Sequence, residues 1–172
     1  MKKLFILFLI FFFKFNALLS NTSIAFIDID KIISTSKPGL SIMTQLIDVN
    51  KKNSNKLKNA AEKLKIQENK LISQKNILSK EDFKSKIDKL KQEVKDYNQE
   101  RIKINNNFKK LKIENTNKLL KLINPLLIKY SLDRSISIIL KKKDIIMGKT
   151  ELDITNEIIK IINVEIDEFK IQ

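Results

Sequence analysis

The sequence has no cysteine, no histidine and no tryptophan, and only 2 glycines and 2 prolines among 172 residues. Without cysteine there are no disulfides and no thiolate nucleophile. Without histidine there is no Cys/His zinc site and no histidine-dependent triad. So few turn formers do not suit an all-β sandwich or barrel, which needs a tight turn about every ten residues. Carboxylate or lysine chemistry is left, but no Gly-rich loop, metal-ligand spacing or acid/base pair goes with it. Asp28 and Asp30 lie beside a turn, where carboxylates cap helices. The chain is therefore expected to be no enzyme and to use no cofactor or metal.

What is abundant is charge. Charged residues make up 31% of the chain and the net charge is +14, a content that suits long solvent-facing helices. The excess is not spread evenly. Residues 40–123 hold 21 Lys/Arg against 10 Asp/Glu, whereas residues 21–39 and 124–172 are each neutral. A uniform compositional bias would not leave the flanks neutral, so the basic charge belongs to one element.

The N-terminus reads as an export signal. Met1-Lys2-Lys3 precedes the apolar run Leu4–Phe13, then Lys14 and Phe15-Asn16-Ala17-Leu18-Leu19-Ser20. About ten apolar residues at 1.5 Å rise reach roughly half the bilayer core, and a longer span would bury Lys14. Residues 1–20 are expected to be a signal peptide processed near Ser20 to Ser23, although no Ala-x-Ala site is present.

Ile24-Ala25-Phe26-Ile27-Asp28 reads as a buried strand. Ser34-Thr35-Ser36-Lys37-Pro38-Gly39 breaks the chain before a long helix. In that helix Ile42, Leu46 and Val49 share a stripe, and Leu57, Leu64, Leu71 and Leu78 recur every seven residues, with an irregularity around Asn53. Ser79-Lys80-Glu81-Asp82 is a fresh helix start, with a capping serine and first-turn acids. Beyond it Phe83, Ile87, Leu90, Val94, Tyr97, Arg101, Ile104, Phe108 and Leu111 alternate steps of four and three, a coiled-coil seam broken only by Arg101. Residues 40–123 are thus expected to form an antiparallel helical hairpin with its tip near 74–79, an arm roughly 50–65 Å long.

After Pro125, where a kink is expected, Ser135–Leu140 and Asp144–Gly148 read as two further strands. Lys141-Lys142-Lys143 forms the bend between them, and Asp153–Ile162 reads as a capped amphipathic helix. Residues 21–39 and 124–172 together form a three-stranded body. It is too small to bury a good core alone, and oligomerisation is the physical remedy. Ile24, Phe26, Ile138 and Leu140 are the expected shared core. The sequence assigns no structure to Val164–Gln172.

Two blocks carry a resemblance. The first is Ile24-Ala25-Phe26-Ile27-Asp28 with Lys31-Ile32-Ile33, Ser36, Gly39 and Leu46. The second is Ser137-Ile138-Ile139-Leu140 through Asp144-Ile145-Ile146, then Leu152-Asp153-Ile154-Thr155-Asn156-Glu157-Ile158. In this order, around a basic hairpin, they resemble the Skp/OmpH family of periplasmic chaperones over nearly the whole mature chain. The resemblance implies an α+β, mostly helical fold and a homotrimer whose strands pool in a small barrel, with three hairpins projecting as tentacles. It also implies ATP-independent binding of unfolded outer-membrane proteins in the periplasm. The tail beyond Asn163 looks longer than the family pattern.

On that reading the arm charges Lys84, Lys86, Lys89, Lys91, Lys95, Arg101, Lys103, Lys109, Lys110 and Lys112 act collectively on acidic clients. An anionic membrane surface or lipopolysaccharide is a further partner the charge admits, with no residues assigned to it. Rival readings are a membrane-tethered coiled-coil spacer, if residues 1–20 stay attached, and a nucleic-acid-binding coiled coil. The export signal argues against nucleic acid as a physiological partner.

Overall fold

The computed structural model describes residues 23–171; the expected signal peptide, residues 1–20, lies outside them. In chain order the elements are strand β1 (Ile24–Ile27), helices α1 (Ile29–Thr35), α2 (Lys37–Ser73) and α3 (Lys80–Asp133), strand β2 (Ile138–Lys141), two 3-10 turns (Lys142–Asp144 and Thr150–Leu152) and helix α4 (Thr155–Glu165). The protein is mostly helical with a small sheet.

The first three helices start where a side chain satisfies a free backbone donor. Asp28 Oδ1 accepts from Lys31 N at 2.9 Å to open α1. Ser36 Oγ accepts from Gly39 N at 3.3 Å to open α2, with Pro38 in the first turn. Ser79 Oγ accepts from Asp82 N at 3.0 Å to open α3, where Glu81 and Asp82 meet the positive end of the helix dipole.

α2 and α3 pack antiparallel, joined by the turn at residues 74–79. α3 continues past the hairpin to Asp133 without a break at Pro125. Pro125 is exposed, and its ring leaves one carbonyl of the preceding turn without an intrahelical donor. The helix stops before Ser135, which takes a left-handed conformation with φ 53°.

β1 and β2 are parallel, pairing Ile24 with Ile138 and Phe26 with Leu140. The whole hairpin lies in the crossover between them. The third expected strand does not form. Lys142–Asp144 is a 3-10 turn, so Lys141-Lys142-Lys143 ends β2 and starts that turn instead of joining two strands. The chain then crosses the ring of Phe26: a Cβ on Gly148 would lie 2.9 Å from Phe26 Cε1. Ile146 and Met147 point fully into solvent. Backbone pairing with β1 resumes at Asp153, which bridges Phe26, and at Ile154, whose N–H donates to Phe26 O at 3.1 Å.

The core sits where the arms enter the body. Ile32, Ile42, Leu119, Ile123, Ile158 and Ile162 are all buried to 2% exposure or less, one or two from each helix. Removing such side chains from water contributes about 1.5–3 kcal/mol each. Ala25 and Ile27 seal this cluster from the sheet side. Asp153 ties the start of α4 to the sheet. It accepts from Lys142 Nζ at 2.8 Å and from Thr155 N at 3.1 Å, and it also takes the Thr155 hydroxyl hydrogen bond. Thr155 Oγ1 in turn accepts from Asp28 N at 2.9 Å.

The C-terminal residues form a strap across α2. Gln45 Nε2 donates to Phe169 O at 2.6 Å, and Gln45 Oε1 accepts from Ile171 N at 3.2 Å, so one side-chain amide pairs with the strap much as a neighbouring strand would. Ile166, Phe169 and Ile171 pack against the core beneath it.

Two predictions follow from these contacts. An alanine inside a helix normally stabilises relative to glycine by about 0.5–1 kcal/mol. A Cβ on Gly39, however, would run into the Ile33 carbonyl oxygen of α1. Gly39→Ala is expected to destabilise by about 1–3 kcal/mol in urea unfolding, and a stabilised variant would refute the close approach. Burial alone would raise the Asp153 carboxyl, but its hydrogen bonds from Lys142 and Thr155 outweigh that and hold it below the ordinary carboxylate range. A lowered folded pKa stabilises above the unfolded value, and the contribution is lost as pH falls through the folded one. Unfolding midpoints measured across that acid window should fall more steeply for the native chain than for Asp153→Asn. Parallel curves would show that the clamp carries no pH-dependent stability.

Candidate functional site

Two exposed surfaces stand out. The first is the outer face of the sheet. Strand alternation turns Ala25, Ile27 and Ile139 inward onto the helices and Ile24, Phe26, Ile138 and Leu140 outward. These last four are the side chains expected to form the shared core, and the structure gathers them on one face. Ile24, Ile138 and Leu140 are exposed, whereas Phe26 is covered within the protomer by the Gly148 segment, with Lys142 Nζ 6.0 Å from its ring centroid. Around the edge of β2, an apolar groove of about 400 Å³ runs between the strand and the end of α3, lined by Leu127, Ile128, Ile136 and Ile139.

The second surface is the arm. At 1.5 Å per residue, the 37 residues of α2 and 54 of α3 extend about 55 and 80 Å. Phe83, Ile87, Leu90, Tyr97, Ile104, Phe108 and Leu111 line the seam and are half-buried. Val94 does not: it is 41% exposed, and Arg101 also faces solvent. Glu93 and Glu100 are half-buried in their place. The half-buried stripe takes the earlier residue at these two steps, where Ala60 and Lys56 of α2 stand beside it.

The small side chain of Ala60 on α2 leaves space opposite, a groove of about 450 Å³ bordered by Lys56, Leu64, Glu93, Tyr97 and Glu100. Lys56 Nζ meets Glu100 Oε1 at 2.7 Å, and this bond together with the lysine's charge holds the Glu100 carboxyl below its ordinary range. Glu93 and Glu100 are absent from the seam expected from the sequence. Their seven-residue spacing, matched by Lys56 and Lys63 on α2, was the available signal.

All ten candidate arm cations are exposed, but they do not share one side. Lys84, Lys91, Lys95, Arg101, Lys109 and Lys112 fall on one flank of α3 when it is projected at 3.6 residues per turn. Lys86, Lys89, Lys103 and Lys110 fall on the other. That second flank borders the inter-helix grooves, where Lys86 and Lys89 line a groove of about 310 Å³ near the tip. Lys110 there pairs with Glu114 at 3.8 Å. Among the described residues, no group of acidic side chains could hold a metal ion, and no helix is long and apolar enough to cross a membrane.

Comparison with known proteins gives a family and a fold. The family model described as "Outer membrane protein (OmpH-like)" matches residues 23–162. No curated protein sequence matches the chain. Among solved structures, the crystal structure of a candidate outer membrane chaperone (OmpH-like) from Caulobacter crescentus CB15 superposes with a TM-score of 0.74. The two are 10% identical, and the match covers 87% of this chain and 89% of that one. At that identity the likeness is one of fold. The strap that follows Asn163 lies beyond the family match.

The side chains of the Lys56–Glu100 pair are 63% and 41% exposed, and ion pairs so open to water contribute little to stability. Glu100→Gln should therefore leave the urea midpoint and the helical circular dichroism unchanged within error. A large loss would mean that the ion pair, not Tyr97 and the leucines, holds the middle of the arm together.

Proposed function

The chain belongs to the OmpH-like family, and from that premise we propose that it is a periplasmic holdase chaperone. In this reading it keeps unfolded outer-membrane proteins from aggregating, without ATP and without catalysis. The observation that carries the reading is the contrast between the two parts of the molecule. A small body leaves an apolar sheet face uncovered, while a long hairpin projects from it with every candidate cation in solvent.

The uncovered face of Ile24, Ile138 and Leu140 supports assembly, because a sheet this small gains most by pooling its apolar side with copies of itself. A homotrimer would set three arms around a shared space. Residues 1–20 would direct export and be removed.

A holdase needs many weak contacts that together outcompete client self-association, and it stabilises the unfolded client by mass action. Arms with 21 cations against 10 acids over residues 40–123 attract acidic clients from a distance of about one Debye length, roughly 8–10 Å at physiological salt. Capture is then fast and salt-sensitive. Long helices suit this work, since a hairpin of this length exposes far more surface than the body needs for its own stability.

The test is to dilute a denatured outer-membrane β-barrel with and without the mature protein and follow light scattering, recording oligomer mass in parallel. Suppression without ATP at about one trimer per client supports the reading, by the same mass action. No suppression by an intact oligomer would sink it and favour an envelope spacer. For the assembly face, Ile138→Asp is expected to reduce the oligomer to a folded monomer, because its side chain is exposed in the single chain. Phe26→Asp should instead unfold the body, because Phe26 is buried within the protomer. An unchanged mass for Ile138→Asp would remove the sheet face from the interface.

A further inference from the structure

We infer that one flank of α3, the one carrying Lys84, Lys91, Lys95, Arg101, Lys109 and Lys112, is the surface that grips the client. Its occupant is an unfolded polypeptide with carboxylates interspersed among apolar side chains. The inference rests on the holdase reading and assigns the face on which it operates.

Charge separates the two flanks. The gripping flank sets its six cations against a single acid, Asp88, which lies 3.7 Å from Lys91. Between Phe83 and Glu114 the opposite flank sets Lys86, Lys89, Lys103 and Lys110 against Glu93, Asp96, Glu100 and Glu114, and there the charges cancel. Over that stretch nearly all the net positive charge of α3 lies on one side.

Apolar exposure separates them in the same direction. Val94, Ile102 and Ile113 are 41%, 57% and 59% exposed, and all three project from the cationic flank. Between Phe83 and Glu114 they are the large aliphatic side chains of α3 left in water. Lys95, Ile102 and Lys109 follow one another at seven-residue steps, as do Val94 and Arg101, so cation and aliphatic alternate along the rod.

Neighbouring cation and aliphatic positions along this flank are about 10 Å apart, so carboxylates and apolar side chains of one extended client can be met together at more than one place along the rod. A second copy presenting the same flank would be repelled by its six like charges.

The test compares variants of the mature protein that change charge equally. Lys84, Lys91, Lys95 and Lys109→Gln alter the gripping flank; Lys86, Lys89, Lys103 and Lys110→Gln alter the other. Binding of a fluorescently labelled, denatured acidic β-barrel is titrated at low and high salt, with oligomer mass and circular dichroism recorded. The first set should weaken binding about tenfold or more at low salt and the second less than about twofold. A third variant, Val94, Ile102 and Ile113→Gln, should weaken binding at both salt concentrations.

Equal losses in the two lysine sets, or a larger loss in the second, would overturn the assignment. So would a change in oligomer mass for the aliphatic variant, which would mean that a second copy covers this face. If either lysine set loses helicity, the single variants Lys91→Glu and Lys103→Glu carry the same comparison. A native protein that binds no client at all would refute the holdase reading itself, a result distinct from any difference between flanks.

Discussion

Ile32, Ile42, Leu119, Ile123, Ile158 and Ile162 come from four different helices, and each is almost wholly removed from water. The position of every other part follows from that junction. Two helices more than 50 Å long act as levers on it, so the angle at which the arm leaves the body is decided by a few aliphatic contacts at its root. Gly39 lets α1 and α2 approach closely enough to make those contacts, and the Asp153–Thr155–Asp28 chain of hydrogen bonds fixes α4 against the sheet edge. The strap adds a third tie by pairing its backbone with Gln45.

Above this root the arm is held more loosely. Its seam residues are half-buried at best over most of its length, with Leu71 near the tip an exception. A surface that must accept many partners gains from such construction. Seam contacts keep the helices paired while both flanks stay open to solvent. The charge is organised at the same scale. Acids collect on the side where the helices form grooves, and the cations that lack acidic neighbours collect on the other.

Much of this was legible in the sequence. Capping residues Asp28 and Ser79 announce their helices because a short polar side chain before an amphipathic run has one obvious task, whereas Ser36 is legible only as part of a chain break. Ile24, Phe26, Ile138 and Leu140, named together from the sequence, stand side by side in the register of the two strands. The seam was read less completely. An apolar count in fours and threes carries through Val94 and Arg101, whereas the half-buried positions are Glu93 and Glu100, which stand beside Ala60 and Lys56 of α2, a partner that apolar spacing alone does not reveal. The third strand was misread for a different reason. Asp144–Gly148 has strand-like composition, yet its course is decided by the ring of Phe26, far away in sequence, over which the chain must pass at Gly148. The extra length beyond Asn163 is visible in the sequence but its course is not, because the strap's hydrogen-bond partner is the side chain of Gln45, and periodicity carries no trace of such a contact.

The parallel pairing of β1 with β2 also sets an order in time. β1 leaves the ribosome before either arm exists, and its partner strand follows only after both arms have been made. The arms close through contacts between neighbouring helices, whereas the sheet joins segments from opposite ends of the chain, a slow step of high contact order. The hairpin can therefore zip early, and the apolar sheet face comes into being only when the chain is nearly complete. An unfinished chain has no such face to offer, so copies cannot associate through it before each has finished its own arms.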